Sequence, residues 1–360
     1  MKIIIVGAGR VGASLAESLV SEHNDITLID PDPAVLADLQ DRFDLRTIAG
    51  NGAIPRVLKQ AGAEDADMLV AVTRNDETNL VACRMAALMF NVPRRIARVR
   101  SPEMLEQGNL HGDEGFNVDH VICPEQSVTD HIERLIEFPD ALQVLDFADG
   151  KVTLVSVRAY AGGPLVSHPI EDIRKHLPKV DVRIVALFRE NQPVAVEGYT
   201  TIQPGDEVFC LSATEHVRTV MAELRRMSKP VTKVMIAGGG NIGLRLAKSL
   251  EENYQVKVID ADRKRCEDLA SQLGSRTLVL YGDATDEDLL AEENVQDVDT
   301  FIALTNDDEN NIMSSLLAKR MGARRVIALI QRKVYAELVQ GGQIDIALAP
   351  SNATLSELLK

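Results

Sequence analysis

Short runs of Val, Ile, Leu and Ala alternate with longer amphipathic stretches through residues 1 to about 138. The run at 68–72 and the helix-like stretch at 79–90 are typical of it. Asn91-Val92-Pro93 breaks that stretch before the next strand-like run, 95–99. Such alternation predicts a parallel sheet covered by helices. From about 141 to 226 the rhythm changes. Runs at 152–157, 182–188 and 207–211 read as strands, punctuated by Gly162-Gly163-Pro164 and Gln203-Pro204-Gly205-Asp206, and a helix over 214–227 closes the segment. Ser228-Lys229-Pro230 reads as a linker, after which the first rhythm returns. The chain is therefore expected to be α/β, with parallel-sheet domains at 1–140 and 230–360 and a small α+β module at 141–229.

The two outer segments share more than rhythm. Lys2-Ile3-Ile4-Ile5-Val6-Gly7-Ala8-Gly9-Arg10-Val11-Gly12 is answered by Lys233-Val234-Met235-Ile236-Ala237-Gly238-Gly239-Gly240-Asn241-Ile242-Gly243. Both are G-x-G-x-x-G turns between a strand and a helix. One alone is weak evidence. Here each is followed by a second apolar run ending in an acid, Asp30 or Asp260, then by Gly50-Asn51-Gly52 or Gly282-Asp283-Ala284. Each half closes a further strand with T-x-x-D-E-x-N: Thr73, Asp76, Glu77 and Asn79, then Thr305, Asp308, Glu309 and Asn311. Cys123-Pro124 before a helical run matches Ala349-Pro350. A series in register at matched distances marks a duplicated, Rossmann-like nucleotide-binding domain. Nothing after the second copy matches 141–226, and the segment after Pro350 is expected to be the counterpart of the helix near 128–136.

Each glycine has its own task. Gly7 and Gly238 permit the tight turn; Gly9 and Gly240 let the backbone approach a pyrophosphate; Gly12 and Gly243 let helix and strand pack closely. Ala8, Arg10 and Val11, with Gly239, Asn241 and Ile242, complete the two turns, where phosphate meets free N–H groups and the positive end of a helix dipole. Asp30 and Asp260 stand where a carboxylate accepts the hydroxyls of an adenosine ribose, which favours NAD(H), ATP or ADP over a ligand with a 2′-phosphate. Asn51 and Asp283 follow the next strand, and Arg263 lies just past the second acid, open to flanking an adenine or to plain surface exposure. Thr73 and Thr305 lie at the carboxyl ends of fourth strands, where open α/β sheets bind ligands; the acids beside them suit helix capping as well as binding. Arg98 and Arg100 alternate and are expected on one strand face, where burial demands an anion, either a phosphate or a carboxylate. Their counterparts are Leu329 and Gln331, so the two sites are expected to differ in ligand or affinity.

Catalytic signatures are missing from the sequence. It contains no G-x-S-x-G, no G-x-x-x-x-G-K-[ST] and no H-E-x-x-H. His168 and His176 read as surface residues, so no acid or base stands out for hydride chemistry. Four scattered cysteines, Cys83, Cys123, Cys210 and Cys266, lack metal-ligand spacing and suit a reducing cytoplasm. The net charge of −15 argues against broad nucleic-acid binding and against adsorption on an anionic membrane. No apolar run reaches the roughly 18–20 residues of a membrane span, and the strand that begins at Ile3 leaves no room for a leader in this sequence.

With duplicated glycine-turn halves around a small β-rich module, the chain resembles the TrkA family, the RCK/KTN-domain regulatory subunits of bacterial Trk-type potassium uptake systems. Residues 2–12, Ile96-Ala97-Arg98-Val99-Arg100-Ser101 and Gly205-Asp206-Glu207-Val208 carry the resemblance, which spans essentially the whole chain. It implies two RCK N domains flanking an RCK C module, in a non-enzymatic cytosolic subunit. It further implies binding of NAD(H) and ATP or ADP, pairing through the Rossmann-like lobes into a homo-oligomeric, tetrameric ring, and action on a TrkH-type membrane subunit without insertion into the membrane. An RCK regulator of a potassium channel or efflux antiporter, and an NAD-dependent dehydrogenase, are the competing readings. The absence of a second small module sets this chain apart from the family pattern.

Overall fold

The computed structural model describes residues 1–107, 109–339 and 342–350. By internal packing the chain divides into two compact units, Met1–Ser127 and Val128–Ala349.

The first unit contains β1 (Lys2–Val6), α1 (Arg10–Ser21), β2 (Asp25–Asp30), α2 (Pro33–Arg42), β3 (Arg46–Ala49), α3 (Pro55–Gln60), β4 (Met68–Ala71), α4 (Asp76–Phe90), β5 (Arg94–Arg98), α5 (Pro102–Gln107) and β6 (His120–Ile122). The strands form a parallel sheet in the order β3-β2-β1-β4-β5-β6. Apolar runs without polar alternation are what a sheet covered on both faces requires. Ile3 and Ile5 of β1 pack with Leu15 and Leu36, from α1 and α2. Ile4 and Val6 pack on the opposite face with Leu58 and Leu80, from α3 and α4. The strand order reverses between β1 and β4, so a crevice opens at the carboxyl ends of those two strands.

The division between units falls within α6 (Pro124–Glu137). Beyond it, β7 (Ala141–Phe147), β8 (Val152–Arg158), α7 (Ile173–His176), β9 (Val182–Arg189), β10 (Gln192–Val194), β11 (Glu207–Ala213) and α8 (Val217–Leu224) form the small module. Its sheet is antiparallel, in the order β10-β9-β11-β8-β7. Helix α8 buries Val217, Val220, Met221 and Leu224. The helix expected over 214–227 is shorter than its pattern. It opens with a 3₁₀ turn and stops at Leu224, because Arg225 turns extended (φ −163°) to pair with buried Asp140 at 2.9 Å. Asp140 also accepts the N–H and hydroxyl of Ser228, both at 2.7 Å, which fixes the start of the linker.

The second parallel-sheet domain follows: β12 (Lys233–Ala237), α9 (Asn241–Leu250), β13 (Gln255–Asp260), α10 (Arg263–Gln272), β14 (Thr277–Tyr281), α11 (Glu287–Glu292), β15 (Thr300–Ala303), α12 (Asp308–Arg320), β16 (Arg325–Leu329), α13 (Lys333–Val339) and β17 (Ile346–Leu348). Its order, β14-β13-β12-β15-β16-β17, repeats the first sheet strand for strand. Arg325, which opens β16, is buried; its guanidinium donates to the carbonyls of Leu135 (2.8 Å) and Ala141. Burial lowers its pKa to about 10, which still leaves it charged at neutral pH. The expected helix after Pro350 lies outside the described residues. No helix among the described residues is long and apolar enough to cross a membrane.

Candidate functional site

The glycine turns are built alike. Gly7 has φ +105° and Gly238 φ +104°, a region that side chains avoid. A Cβ added to Gly12 would overlap the carbonyl oxygen of Gly7, and one on Gly243 would overlap that of Gly238. Both residues are therefore fixed by packing alone. Gly9 and Gly240 are different. They occupy the cap positions of α1 and α9 with ordinary φ values of −66° and −65°, and a Cβ on either meets nothing within 4 Å.

That open space faces unsatisfied donors. The first N–H groups of a helix have no acceptor within the helix. Asp32, Asn75, Asp262, Asp286 and Asp307 supply one at α2, α4, α10, α11 and α12. Among the described residues no side chain caps α1 or α9. Arg10 and Val11, like Asn241 and Ile242, form the first turn of these uncapped helices. Directional donors and a positive dipole end converge on each opening, a setting suited to phosphate.

The two acids close the turns from beside them. Asp30 Oδ2 accepts the Ala8 N–H at 2.7 Å, and Asp260 Oδ2 accepts the Gly239 N–H at 2.7 Å. Their second oxygens accept from Asp32 and Asp262, both at 2.9 Å. Each carboxylate oxygen has further lone pairs for a hydroxyl donor. Asn51 and Asp283 stand next to them, since Gly50 and Gly282 donate to the Asp30 and Asp260 carbonyls. Asn51 Oδ1 accepts from Ala53 N–H (2.9 Å) and Asp283 Oδ1 from Thr285 N–H (2.8 Å), so both hold tight turns. Arg263 is exposed on α10, 3.8 Å from Glu267, one turn along.

Thr73 and Thr305 border the same openings: a Cβ on Gly7 would lie 2.9 Å from Thr73 N, and one on Gly238 2.8 Å from Thr305 N. Their hydroxyls turn inward. Thr73 Oγ1 lies 2.8 Å from Asn79 Oδ1 and Thr305 Oγ1 lies 2.6 Å from Asn311 Oδ1. The fully buried Asn79 amide also donates to the Arg98 carbonyl at 2.9 Å, and that of Asn311 to the Leu329 carbonyl at 2.8 Å. Asp76 accepts the N–H groups of Arg100 and Ser101, and Asp308 those of Gln331 and Arg332. The aspartates of T-x-x-D-E-x-N thus hold the loop after the fifth strand, a role the sequence did not reveal. Only the repetition of Asn79 and Asn311 in matched places hinted at it.

These bonds match Arg98 with Leu329 and Arg100 with Gln331. The expected shared strand face does not form, because β5 ends at Arg98, and Arg100 lies in the bracketed loop. A carboxylate meets each arginine: Glu125 is 2.6 Å from Arg98, and Asp76 is 3.7 Å from Arg100. Among the described residues there is no cluster suited to a metal ion.

The fold and this duplicated geometry have counterparts. A TrkA-N domain model matches residues 3–124 and again 234–350, and a TrkA-C domain model matches 154–225. Trk system potassium uptake protein TrkA of Vibrio alginolyticus is 54% identical over 360 residues, all of this chain and 78% of that protein. The proteins of the same name from Halomonas elongata and Haemophilus influenzae are 53% and 50% identical, again across this whole chain and 78% of theirs. Among solved structures, the GsuK RCK domain superposes with a TM-score of 0.72 at 16% identity, covering 99% of this chain and 75% of that one. The GsuK channel bound to NAD gives 0.73 at 17% identity, covering 99% of this chain and 63% of that one. At such identity these structures establish the RCK-type fold. The sequence relatives establish more: the chain belongs to the TrkA family of Trk system potassium uptake proteins.

Proposed function

We propose that the chain is the nucleotide-binding regulatory subunit of a Trk-type potassium uptake system. Its two glycine turns bind NAD(H) and adenine nucleotides, and the protein acts on a TrkH-type membrane subunit without turning its ligand over. Gly7–Gly12 with Asp30, Asn51, Thr73, Arg98 and Arg100 form the first site. Gly238–Gly243 with Asp260, Asp283 and Thr305 form the second, with Arg263 at its margin. One observation carries this reading: both copies leave the first helix turn uncapped and the space before it open, while the surrounding polar groups are committed to holding the loops. The relatives named for potassium uptake support the transport role, and the GsuK structures bound to NAD and to ADP support the ligand class.

In this reading the protein works as a cytoplasmic ring of identical chains beneath its membrane partner. A ligand shifts the equilibrium of such a ring only by binding its two states with different affinity. An enzyme would need a proton donor or acceptor beside the nicotinamide, and the sequence carries no signature that supplies one. Calorimetric titration of NADH, NAD, ATP and ADP tests the proposal, with Gly9→Asp and Gly240→Asp as silenced sites. Each substitution fits the open space and the local backbone, and sets a carboxylate where phosphate would bind. Two classes of sites, each removed by one substitution, are expected. Steady oxidation of NADH with any substrate, or no binding to a folded sample, would overturn it.

A further inference from the structure

The two sites share their hydrogen bonds but not their charges. Around the phosphate opening, Arg10, Arg74 and Arg100 of the first copy are Asn241, Asn306 and Gln331 in the second. Two further positions change in the same direction. Asn75 caps α4 by accepting from Thr78 N–H at 2.7 Å; Asp307 does the same for α12 from Asn310 N–H at 2.7 Å. Asn51 and Asp283 hold equivalent turns, again one neutral and one charged. Because the neutral residue does each structural task equally well, folding does not require the added negative charge.

The backbone of the arginine segments lies around one turn. Thr73 adjoins Gly7, Arg10 opens α1 three residues on, and the Arg100 guanidinium donates to the carbonyl of Arg74, the residue after Thr73. Among the described residues no carboxylate pairs with Arg10 or Arg74, and both are exposed, so neither charge is neutralised within the chain. The second copy gains Arg332 in place of Ser101, but Glu309 lies 3.0 Å from it. Of its other added cations, Arg245 and Lys248 stand further along α9, where α1 has Ser14 and Glu17, and Arg263, Lys264 and Arg265 stand where the first copy has Pro33, Ala34 and Val35. The last three lie just beyond Asp260, at the end expected to hold the ribose.

Building on the nucleotide-binding reading, we infer that the two sites divide their ligands by charge. The first binds adenine nucleotides more tightly as phosphates are added. The second holds the adenosine end and is indifferent to phosphate number. At a solvated opening each further phosphate facing unpaired arginines is worth about a five-fold gain in affinity at low salt, an order-of-magnitude figure from Coulomb's law at high effective dielectric. Salt screens that gain.

AMP, ADP and ATP titrated without divalent metal test this in the full chain, at about 50 mM and about 500 mM NaCl, ionic strengths on either side of the change in screening. Gly240→Asp isolates the first site and Gly9→Asp the second. The first site is expected to show a rising affinity from AMP to ATP that flattens in high salt and in Arg10→Asn/Arg74→Asn. The second site is expected to hold all three within about two-fold at either salt, the residue of charge effects left once cations leave the opening. Equal ladders at both sites, or a ladder that survives loss of both arginines, would overturn the charge division and leave nucleotide binding standing. No binding of any nucleotide by the folded parent chain would overturn both.

Discussion

The first and second sheet domains hold their strands, glycine turns and buried asparagines in the same bonds, yet differ at corresponding residues outside that set. Arg94 opens β5 and is exposed, whereas Arg325 opens β16 in the same register and is buried. Duplication preserved what the backbone needs and released the rest. The largest test of that contrast is Arg325→Met beside Arg94→Met. Removing Arg325 leaves the Leu135 and Ala141 carbonyls without their donor and removes a cation near Asp140 and Asp345. A loss of about 3 kcal/mol or more is expected for the second unit, because a buried charge network is broken from one side. Arg94→Met is expected within about 0.5 kcal/mol of the parent, as at other exposed sites. Hydrogen exchange at β16 and at β5 reads the two effects separately. Equal losses would mean that the buried contact is dispensable.

The shared part is tested by Asn79→Ala and Asn311→Ala. Each removes a fully buried amide that satisfies a threonine N–H and the carbonyl at the end of the fifth strand. Each is expected to cost about 2 kcal/mol, the penalty for orphaning buried donors and acceptors. The two losses should match and should add in the double variant, since the residues share no partner. Unequal losses in denaturant melts would show that the copies no longer depend on the same knot.

The repeat made much of this legible. Apolar runs located the strands because a sheet covered on both faces permits little else, and paired glycines located both turns. The parallel, Rossmann-like character of the two sheets followed from the motif, while their strand order came from the structure. Sequence spacing even matched Arg98 with Leu329 and Arg100 with Gln331, as the Asn79 and Asn311 bonds do. What stayed hidden depends on contacts distant in sequence. Nothing local says that Asp76 turns to a loop 24 residues away instead of to a ligand. Nor does the sequence of β16 say that Arg325 is covered by residues 190 positions earlier. Helix α8 ends early for the same reason, since the pull on Arg225 comes from Asp140.

A smaller contrast sits one turn beyond each buried asparagine. Cys83 on α4 is fully buried with its sulfur 3.6 Å from the Ile96 carbonyl, and burial raises its pKa from 9.0 to about 12. Below pH 9 the thiol is neutral folded or unfolded and contributes no pH dependence. Above it the unfolded thiol ionises while the folded one does not, so stability falls as pH rises, by about 1.4 kcal/mol per unit until about pH 12. Cys83→Ser is expected to remove that slope from the first unit, as read in urea melts between pH 8 and about 10, within the range the thiol shift spans.

The corresponding residue in the second domain is Ser315, fully buried on α12 with a hydroxyl that has no hydrogen-bond partner among the described residues. A thiol desolvates at less cost than a hydroxyl, and its longer reach suits the neighbouring strand. Ser315→Cys should therefore stabilise the second unit by about 1 kcal/mol at neutral pH, near the lower bound for an orphaned buried polar group. It should also import the alkaline slope that the first unit loses in Cys83→Ser. If the substitution stabilises without adding the slope, burial at the two positions differs in kind. If it destabilises, the serine is tuned to its own packing, and the two helices have diverged inside the core as well as at its edges.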